Sequence, residues 1–464
     1  MKSTKLSWMS ALLLSALMIG LGIAGSAQAQ QVDLTPQERL GKFLFYDQNL
    51  SLNNNKACAA CHGPEVGYTG RDELINLHGG VYEGSIPGAF GNRKPPTAAY
   101  AGDSPILHYD AVAGWVGGMF WDGRATGWTM GDPLAEQAKG PFLNPKEQAI
   151  PDAQTLCEKI KASNYADLFV EVWGSLSCAD DTAVGVAYNN IAISIAAYER
   201  SQEVSSFTSG FDGFWDNAKL QGKDVTRISM ANWAKYKSLG LNNDQLRGLA
   251  VFNTEANCSS CHTLDEGTAG YPLFTDFSYD NLGMPKNPEN PATIADPNWA
   301  DPGLGGFLMN TSQYSSVSST EIGKFKVPTL RNVDLRPTTT FVKAYGHNGY
   351  FKSLEEIVHF YNTRDVQPWP APEVSENMNT IIGNLRLNKT QEHWIVEFLK
   401  TLSDLHYGDL QRNWKKWEKE KHWDGRGEQG HEGHGELKHE EQGEHERGGR
   451  DEQGREGRDE QRGV

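Results

Sequence analysis

The sequence predicts a mainly α-helical protein that is built from two related domains. Segments with regularly spaced apolar residues have the period of helices, loops rich in Gly, Pro and Asn join them, and no run of alternating strands is found. One plan, a helix that leads into a Cys-x-x-Cys-His motif, occurs twice at a separation of 200 residues. Such an internal repeat indicates two structural units of the same kind.

Capping signals locate the helices that precede the two motifs. Thr35 and Glu38 form a capping box ahead of a helix that continues through Leu44. A comparable helix opens at Asn243 and continues through Phe252. Apolar spacing predicts three further helices, over residues 183–200, 355–362 and 391–402.

Both motifs have the pattern of a c-type haem attachment site. The two thiols add across the vinyl groups of the haem, and the adjacent histidine becomes the proximal ligand of the iron. A zinc site or a disulfide pair is the alternative interpretation. We therefore expect two cytochrome c-like haem domains packed together, with two covalently bound haem c groups. The predicted haem-binding residues are Cys58, Cys61, His62, Cys258, Cys261 and His262.

The chain is divided into four predicted segments. Residues 1–29 form a signal peptide, 30–205 the N-terminal haem domain, 206–410 the C-terminal haem domain and 411–464 a disordered charged tail, which is too polar to bury a core. The signal peptide has Lys2 and Lys5 before an apolar run, and a small-x-small cleavage site at Ala27 and Ala29. An uncleaved membrane anchor is the rival interpretation, although a span needs roughly 18 to 20 apolar residues.

Export predicts a periplasmic location, because covalent haem attachment and disulfides belong to an oxidising compartment. The two cysteines outside the motifs, Cys157 and Cys178, are expected to pair there, with two buried free thiols as the alternative. A net charge of -16 argues against nucleic acid and leaves room for cationic partners such as small basic electron carriers. After removal of the signal peptide, we do not expect the protein to span a membrane.

Several stretches of the chain resemble bacterial di-haem cytochrome c peroxidases and their relative MauG, the methylamine-utilisation protein. The resemblance extends from about Leu34 to Leu405. It implies a peroxidatic haem in the N-terminal domain, an electron-transfer haem in the C-terminal domain and hydrogen peroxide as a substrate. The stretches are Phe120-Trp121-Asp122-Gly123-Arg124, Glu136-Gln137-Ala138-Lys139-Gly140-Pro141, Asn144-Pro145-Lys146-Glu147, Val327-Pro328-Thr329-Leu330-Arg331-Asn332 and His347-Asn348-Gly349.

The resemblance implies roles for the side chains around the first haem. Glu147 is the distal acid/base and Gln137 its hydrogen-bonding neighbour, while Trp121 lies between the haems and carries electrons between them. A buried carboxylate suits proton transfer to peroxide, because desolvation raises its pKa toward the working range. The loop between Trp121 and Gln137 is longer than in the peroxidases, so we expect it to differ. His78, 16 residues after His62, is a candidate ligand of the first iron in the resting state, with a surface histidine as the alternative.

The sixth ligand of the second haem is expected to be Tyr361. It follows His347 by 14 residues, at the position where the peroxidases have a methionine and MauG has a tyrosine. Phenolate stabilises oxidised iron, whereas a thioether raises the potential and suits an electron acceptor. The alternatives are that Tyr361 is an ordinary core residue and that Met309 or Met378 is the ligand.

The resemblance also implies a calcium ion between the domains. In the family an Asn side chain and two backbone carbonyls bind this ion. Asn92 is the candidate side chain here, and the candidate carbonyls lie near Arg336 and Pro337.

Three functions are compatible with these features. The leading one is a di-haem peroxidase that reduces hydrogen peroxide with electrons from a small redox protein. The second is a MauG-like enzyme that uses peroxide to oxidise Trp or Tyr side chains of a partner protein. Tyr361 favours the second function, whereas Gln137 and Glu147 are common to both. The third, a plain electron-transfer cytochrome, would not need the distal acid.

Overall fold

The computed structural model describes residues 33–404, so the predicted signal peptide and charged tail lie outside the described residues. Within this range the chain forms twelve α-helices and two small antiparallel sheets, which confirms the mainly α class. The helices are α1 (Pro36–Tyr46), α2 (Glu73–Leu77), α3 (Pro133–Leu143), α4 (Ala153–Lys161), α5 (Ala166–Trp173), α6 (Asp181–Arg200), α7 (Gly210–Leu220), α8 (Asn243–Asn253), α9 (Pro291–Ala295), α10 (Gly303–Met309), α11 (Leu354–Thr363) and α12 (Lys389–Lys400). The strands are β1 (His108–Asp110) paired with β2 (Gly114–Val116), and β3 (Tyr279–Asp280) paired with β4 (Phe325–Lys326).

The two helices that precede the motifs begin at capping boxes. At α1 the Glu38 carboxylate accepts a 2.7 Å hydrogen bond from the backbone N–H of Thr35, and the Thr35 hydroxyl accepts one from the Glu38 N–H. At α8 the N-cap is Asn242, which forms the same reciprocal pair with Gln245. Both predicted starts are confirmed, because capping depends on residues only three positions apart.

Each of these helices crosses a long partner helix at a glycine. A Cβ atom on Gly41 of α1 would lie 1.9 Å from the carbonyl oxygen of Ser194 in α6. A Cβ atom on Gly248 of α8 would lie 1.9 Å from the carbonyl oxygen of Trp394 in α12. Backbone cannot move away at either crossing, so only glycine allows the helices to approach this closely. The repeated plan thus extends to a pair of crossed helices in each half.

Apolar side chains form one large core in each half of the described chain. The first core runs from Leu40 to Val204 and also includes Leu273. The second runs from Phe211 to Leu402. Apart from Leu273, the first core therefore ends and the second begins near the predicted boundary at residue 205. The division into domains stays a prediction, because all described residues belong to one compact unit.

A disulfide joins Cys157 of α4 to Cys178, which precedes α6. This pairing confirms the sequence prediction for the two cysteines outside the motifs. The four motif cysteines are not disulfide-bonded. Among the helices of residues 33–404, none combines the length and apolarity that crossing a membrane requires.

Candidate haem centres and the segment between them

Both Cys-x-x-Cys-His motifs fold as a single 3₁₀ turn after their helix. The turns span Cys58–Ala60 and Cys258–Ser260. The backbone N–H of His62 donates to the carbonyl of Cys58 at 3.0 Å, and that of His262 donates to Cys258 at 2.9 Å. Each turn therefore gathers two thiols and an imidazole on one short segment.

The imidazoles of the two motifs are oriented in the same way. Nδ1 of His62 lies 3.0 Å from the carbonyl oxygen of Tyr68, and Nδ1 of His262 lies 2.8 Å from that of Phe274. A carbonyl only accepts, so Nδ1 carries the proton and the lone pair of Nε2 is available to a metal. Burial lowers the pKa of His62 to about 4 and also lowers that of His262. Both shifts favour the neutral imidazole, the form that binds iron.

The carbonyls that orient these histidines belong to residues with a left-handed backbone. Tyr68 and Phe274 both have a φ of 55°, an unfavourable region for an aromatic residue. At each position a threonine hydroxyl donates a hydrogen bond to the carbonyl of the preceding residue. Thr97 Oγ1 donates to the Gly67 carbonyl at 2.7 Å, and Thr329 Oγ1 donates to the Leu273 carbonyl at 2.5 Å. Sequence analysis did not connect these threonines, although a proline precedes each of them.

A mostly apolar cavity of about 230 Å³ opens beside the second motif. Arg331 lines this cavity, and its Nη2 is buried without a hydrogen-bond partner among the described residues. An unpaired guanidinium donor at an apolar cavity fits a carboxylate such as a haem propionate. The donor set and the cavity therefore fit a haem. The motif residues Cys258, Cys261 and His262 lie in its wall, as do Tyr361, Phe252, Ile357 and Leu399.

Tyr361 is the predicted sixth ligand that lines this cavity. Its hydroxyl makes no hydrogen bond to any described residue, whereas Met309 is exposed on α10 and Met378 packs against Gly283 outside the cavity wall. Met284, which sequence analysis did not single out, also lines the cavity. Burial and the neighbouring thiols raise the pKa of Tyr361. A bound iron cation would act in the opposite direction and favour the phenolate.

Glu147 lies in the turn that follows α3, close to the first motif. The Asn144 amide donates to Glu147 Oε2 at 3.1 Å, and the Ser85 N–H donates to the Glu147 carbonyl at 2.6 Å. Burial raises the pKa of Glu147, while Arg124 and the Asn144 hydrogen bond partly oppose this shift. Burial also raises the pKa of both first-motif thiols, and the charge of Glu147 raises them further. The carboxylate is thus within electrostatic reach of the first haem-binding segment.

Gln137 is half-buried on α3 and shares one helical face with Gly140. A Cβ atom on Gly140 would lie 3.0 Å from the Phe120 ring, so this face is turned toward the segment that contains Trp121. The amide of Gln148 is a further candidate that sequence analysis missed. It is buried beside Glu147, and neither its nitrogen nor its oxygen has a partner among the described residues. Such an unpaired amide fits a site that a bound polar group completes.

Trp121 lies between the segment after the first motif and the cavity of the second. Its side chain is 9% exposed and lines that cavity. The indole N–H donates to the carbonyl of Lys94 at 2.8 Å. The ammonium of Lys94 in turn donates to the hydroxyl of Thr69, seven residues after His62, at 2.8 Å. The indole therefore has contacts toward both motif regions.

The loop between Trp121 and Gln137 is held together by hydrogen bonds to the carboxylate of Glu136. This carboxylate accepts backbone hydrogen bonds from Gly127 at 2.6 Å, Thr129 at 2.6 Å and Met130 at 3.0 Å. Burial opposes its ionisation, but a hydrogen bond from the Thr129 hydroxyl and these backbone hydrogen bonds lower the pKa of Glu136 overall. The residues of this loop thus form an ordered turn that is tied to α3.

His78 is not brought to either motif in this conformation. It follows the last residue of α2, its side chain is 65% exposed, and its Nδ1 lies 3.8 Å from the carboxylate of Glu289. The structure therefore agrees with the alternative of a surface histidine. Ligation of iron by His78 stays a prediction that requires this segment to move.

The donors predicted for calcium bind two different partners. The Asn92 amide donates to Asp301 at 3.3 Å, and its carbonyl accepts from Asn290. The carbonyl of Leu335, next to Arg336, instead accepts a hydrogen bond from Lys343 at 2.9 Å. No cluster of three His, Cys, Asp or Glu side chains suited to a metal occurs within residues 33–404. Asn92 and the carbonyl next to Arg336 thus contact different protein groups, and the calcium site stays a prediction.

Comparison with known proteins agrees with this architecture. A family model described as di-haem cytochrome c peroxidase matches residues 35–219. The methylamine utilization protein MauG of Paracoccus denitrificans (strain Pd 1222) is 32% identical over 414 residues, which cover 86% of this chain and 96% of that protein. Cytochrome c551 peroxidase of Nitrosomonas europaea is 27% identical over 78% of this chain and 79% of its own length.

A solved structure shares the fold over most of the chain. The crystal structure of the diheme peroxidase BthA from Burkholderia thailandensis E264 superposes with a TM-score of 0.64 at 27% identity, and the match covers 81% of this chain and 90% of that one. The repeated motifs, the two crossed helix pairs and the long alignment with MauG lead to one conclusion. This chain belongs to the family of di-haem cytochrome c peroxidases and MauG, and it is an oxidoreductase with two haem cofactors.

Proposed function

We propose that the protein is a periplasmic di-haem c-type peroxidase, with thioether-linked haems at both motifs. Its N-terminal half reacts with hydrogen peroxide, and its C-terminal half exchanges electrons with a small redox protein. One observation carries this proposal. The two motif regions orient their histidines alike, but the carboxylate of Glu147 lies near the first motif, whereas the phenol of Tyr361 lies beside the second.

This asymmetry suits a protein in which one half reacts with peroxide and the other half exchanges electrons. When bound, each haem supplies an iron that changes its oxidation state. Reduction of hydrogen peroxide to two water molecules consumes two protons and two electrons. Glu147 takes a proton from one peroxide oxygen and returns it to the other, and burial raises its pKa toward the range where such transfer is efficient.

Other side chains orient the Glu147 carboxylate, bind peroxide and transfer electrons between the two halves. The Asn144 amide, bonded to Oε2, fixes the orientation of the Glu147 carboxylate. Gln137 lies on the face of α3 that is turned toward the Trp121 segment, where it orients peroxide by hydrogen bonding. Trp121, with contacts toward both motif regions, carries electrons between the two halves.

Tyr361 favours a second candidate function. A MauG-like enzyme would reduce peroxide while removing electrons and protons from Trp or Tyr side chains of a partner protein. Tyr361 lines the cavity beside the second motif, whereas Met309 and Met378 do not. The relative that is 32% identical is named MauG. A hard phenolate ligand would suit a half that becomes more strongly oxidised than a thioether allows.

Absorption and EPR spectra recorded before and after one equivalent of hydrogen peroxide test both candidates. The fully oxidised protein and the protein reduced by one electron should be compared. Reaction only after reduction, followed by turnover with a reduced small cytochrome, supports the peroxidase. Reaction of the fully oxidised protein supports the MauG-like enzyme. Failure of both forms to react would leave electron transfer as the function.

A further inference from the structure

Two lysine side chains are buried in the wall of the cavity that Trp121 lines. Lys94 is 9% exposed and Lys343 is 3% exposed, and both line the cavity that Trp121 lines. Within residues 33–404, the hydrogen-bond acceptors of both ammonium groups are uncharged hydroxyl and carbonyl oxygens. A buried charge without a partner is costly, so both groups need another source of stabilisation.

Backbone carbonyls surround the Lys343 ammonium. Its Nζ donates to the carbonyl oxygens of Val66 at 2.9 Å, Asn332 at 3.0 Å and Leu335 at 2.9 Å. A carbonyl only accepts, and a neutral amine has only two N–H groups. Three carbonyls around one nitrogen match the three donors of the charged ammonium and favour that form, whereas burial lowers the pKa of Lys343.

These carbonyls come from both halves of the molecule. Val66 lies four residues after His62, while Asn332 and Leu335 belong to the C-terminal half. The Lys343 ammonium thus joins the first haem-binding segment to the second half. Oxygen ligands around a single cation are also what calcium uses, but three oxygens are fewer than the roughly six to eight that calcium takes.

Lys94 makes a second connection at the same place. Its Nζ donates to the Thr69 hydroxyl at 2.8 Å and to the Pro95 carbonyl at 3.0 Å. Its backbone N–H donates to the carbonyl of His347 at 2.8 Å, and its own carbonyl accepts the indole N–H of Trp121. Lys94 and Lys343 line the same cavity, and burial together with the charge of Lys94 lowers the pKa of Lys343.

We propose that Lys343, supported by Lys94, supplies the cation that joins the two halves beside Trp121, and that this protein uses no calcium ion there. The carbonyls of Asn332 and Leu335 are already bonded to Lys343. A divalent cation added nearby would be repelled by the ammonium groups of Lys343 and Lys94 in a poorly solvated region. Positive charge beside Trp121 is then part of the chain and independent of the calcium supply.

Metal analysis of the purified holoprotein tests the statement that the protein uses no calcium ion at this place. After dialysis in buffer without chelator, mass spectrometry of metals should find two irons per chain and far less than one calcium. Addition of EGTA or of calcium chloride should change neither the haem absorption spectrum nor the midpoint of thermal unfolding. One calcium per chain that EGTA removes, with a change in either property, would overturn the proposal.

The variant Lys343→Met tests the role of the Lys343 ammonium, because methionine keeps most of the side-chain volume and removes the charge. Three carbonyls then lose their donor, and the thermal midpoint should fall by roughly 3 °C or more. Loss of a buried positive charge favours oxidised iron, so the reduction potential of at least one haem should shift downward. The control Lys400→Met removes an exposed lysine that pairs with Glu397, and it should leave both properties unchanged. A midpoint and potentials equal to those of the wild type would refute the role of Lys343.

The two tests do not depend on each other or on the proposed reaction. If Lys343→Met fails to fold, calcium content and the response to EGTA still decide the question on the wild-type protein. Neither measurement requires turnover with peroxide, so failure of the proposed function would leave this inference intact.

Discussion

The indole N–H of Trp121 donates a 2.8 Å hydrogen bond to the backbone carbonyl of Lys94. The same Lys94 donates through its backbone N–H to the carbonyl of His347, whose ring centroid lies 6.5 Å from that of Trp121. The orientation of the indole therefore depends on backbone atoms, which move less than side chains. A side chain proposed to carry electrons between two halves benefits from such a constant position.

The first prediction concerns haem attachment. The mature protein should begin near Gln30 and should carry two haems whose mass survives denaturation, because thioether bonds are covalent. Mass spectrometry of the variant in which Cys258 and Cys261 are both replaced by Ala should show one haem. A variant that still carries two covalent haems would refute the assignment.

The second prediction concerns Glu147. The variant Glu147→Gln should retain both haems, but its rate of reaction with peroxide should fall by about 100-fold or more, since one acid/base group contributes at least that much. Stopped-flow absorbance measures this rate. The exposed Glu158→Gln on α4 is the control and should react as the wild type does. Unchanged kinetics of Glu147→Gln would remove this residue from the mechanism.

The pH dependence of the same rate has a defined sign. Burial raises the pKa of Glu147 above its ordinary value of 4.5, and a base must be deprotonated to accept a proton. The rate should therefore fall as the pH is lowered through a value above 4.5. This limb should disappear in Glu147→Gln, and its persistence there would point to another group.

The third prediction concerns Tyr361. If its phenolate binds the second iron, Tyr361→Met should raise the potential of that haem, because a thioether favours reduced iron. Spectroelectrochemical titration measures the shift, and Tyr361→Phe controls for loss of the hydroxyl alone. A wild-type spectrum typical of methionine-ligated low-spin haem would contradict this assignment and direct attention to Met284, which lines the same cavity.

The fourth prediction concerns Glu199, a buried carboxyl of α6 with one oxygen that has no partner among the described residues. Burial, partly opposed by Arg200 and reinforced by Asp132, raises its pKa from 4.5 to about 8. The unfolded chain releases this proton first, so stability from Glu199 is complete below pH 4.5 and is lost as the pH rises toward about 8. The loss at pH 8 should be on the order of a few kcal/mol.

Thermal unfolding between pH 5 and pH 8 checks this expectation. Relative to the wild type, Glu199→Gln should become more stable as the pH rises, because the amide does not ionise. The exposed Glu158→Gln should follow the wild-type profile. Parallel profiles for Glu199→Gln and the wild type would show that Glu199 does not titrate in this range.

Much of the candidate site was predictable where the signal is local or covalent. The thiols and histidine of each motif lie within five residues, and the capping boxes of α1 and α8 span four. The Cys157–Cys178 pair was also predicted correctly, because only two cysteines remained outside the motifs. The position of Tyr361 came from the family resemblance, and its side chain does line the second cavity.

Other features depended on contacts that a sequence pattern does not encode. The Lys343 ammonium meets Val66, 277 residues away, so nothing near Lys343 in the chain indicates that it is buried among carbonyls. The surface position of His78 beside Glu289 is set by residues from opposite halves. The same is true of Asn92, whose partners Asp301 and Asn290 lie 209 and 198 residues away along the chain.

The sequence by itself determined the two haem-binding motifs, the helices that lead to them and the family, because covalent chemistry, capping and helical period act over a few residues. Only the tertiary structure decided what surrounds those motifs. The close crossings at Gly41 and Gly248, the backbone bond of Trp121 to Lys94 and the carbonyls around Lys343 each join distant segments. Such contacts exist only once the apolar cores have packed, since packing sets which buried polar groups must find partners.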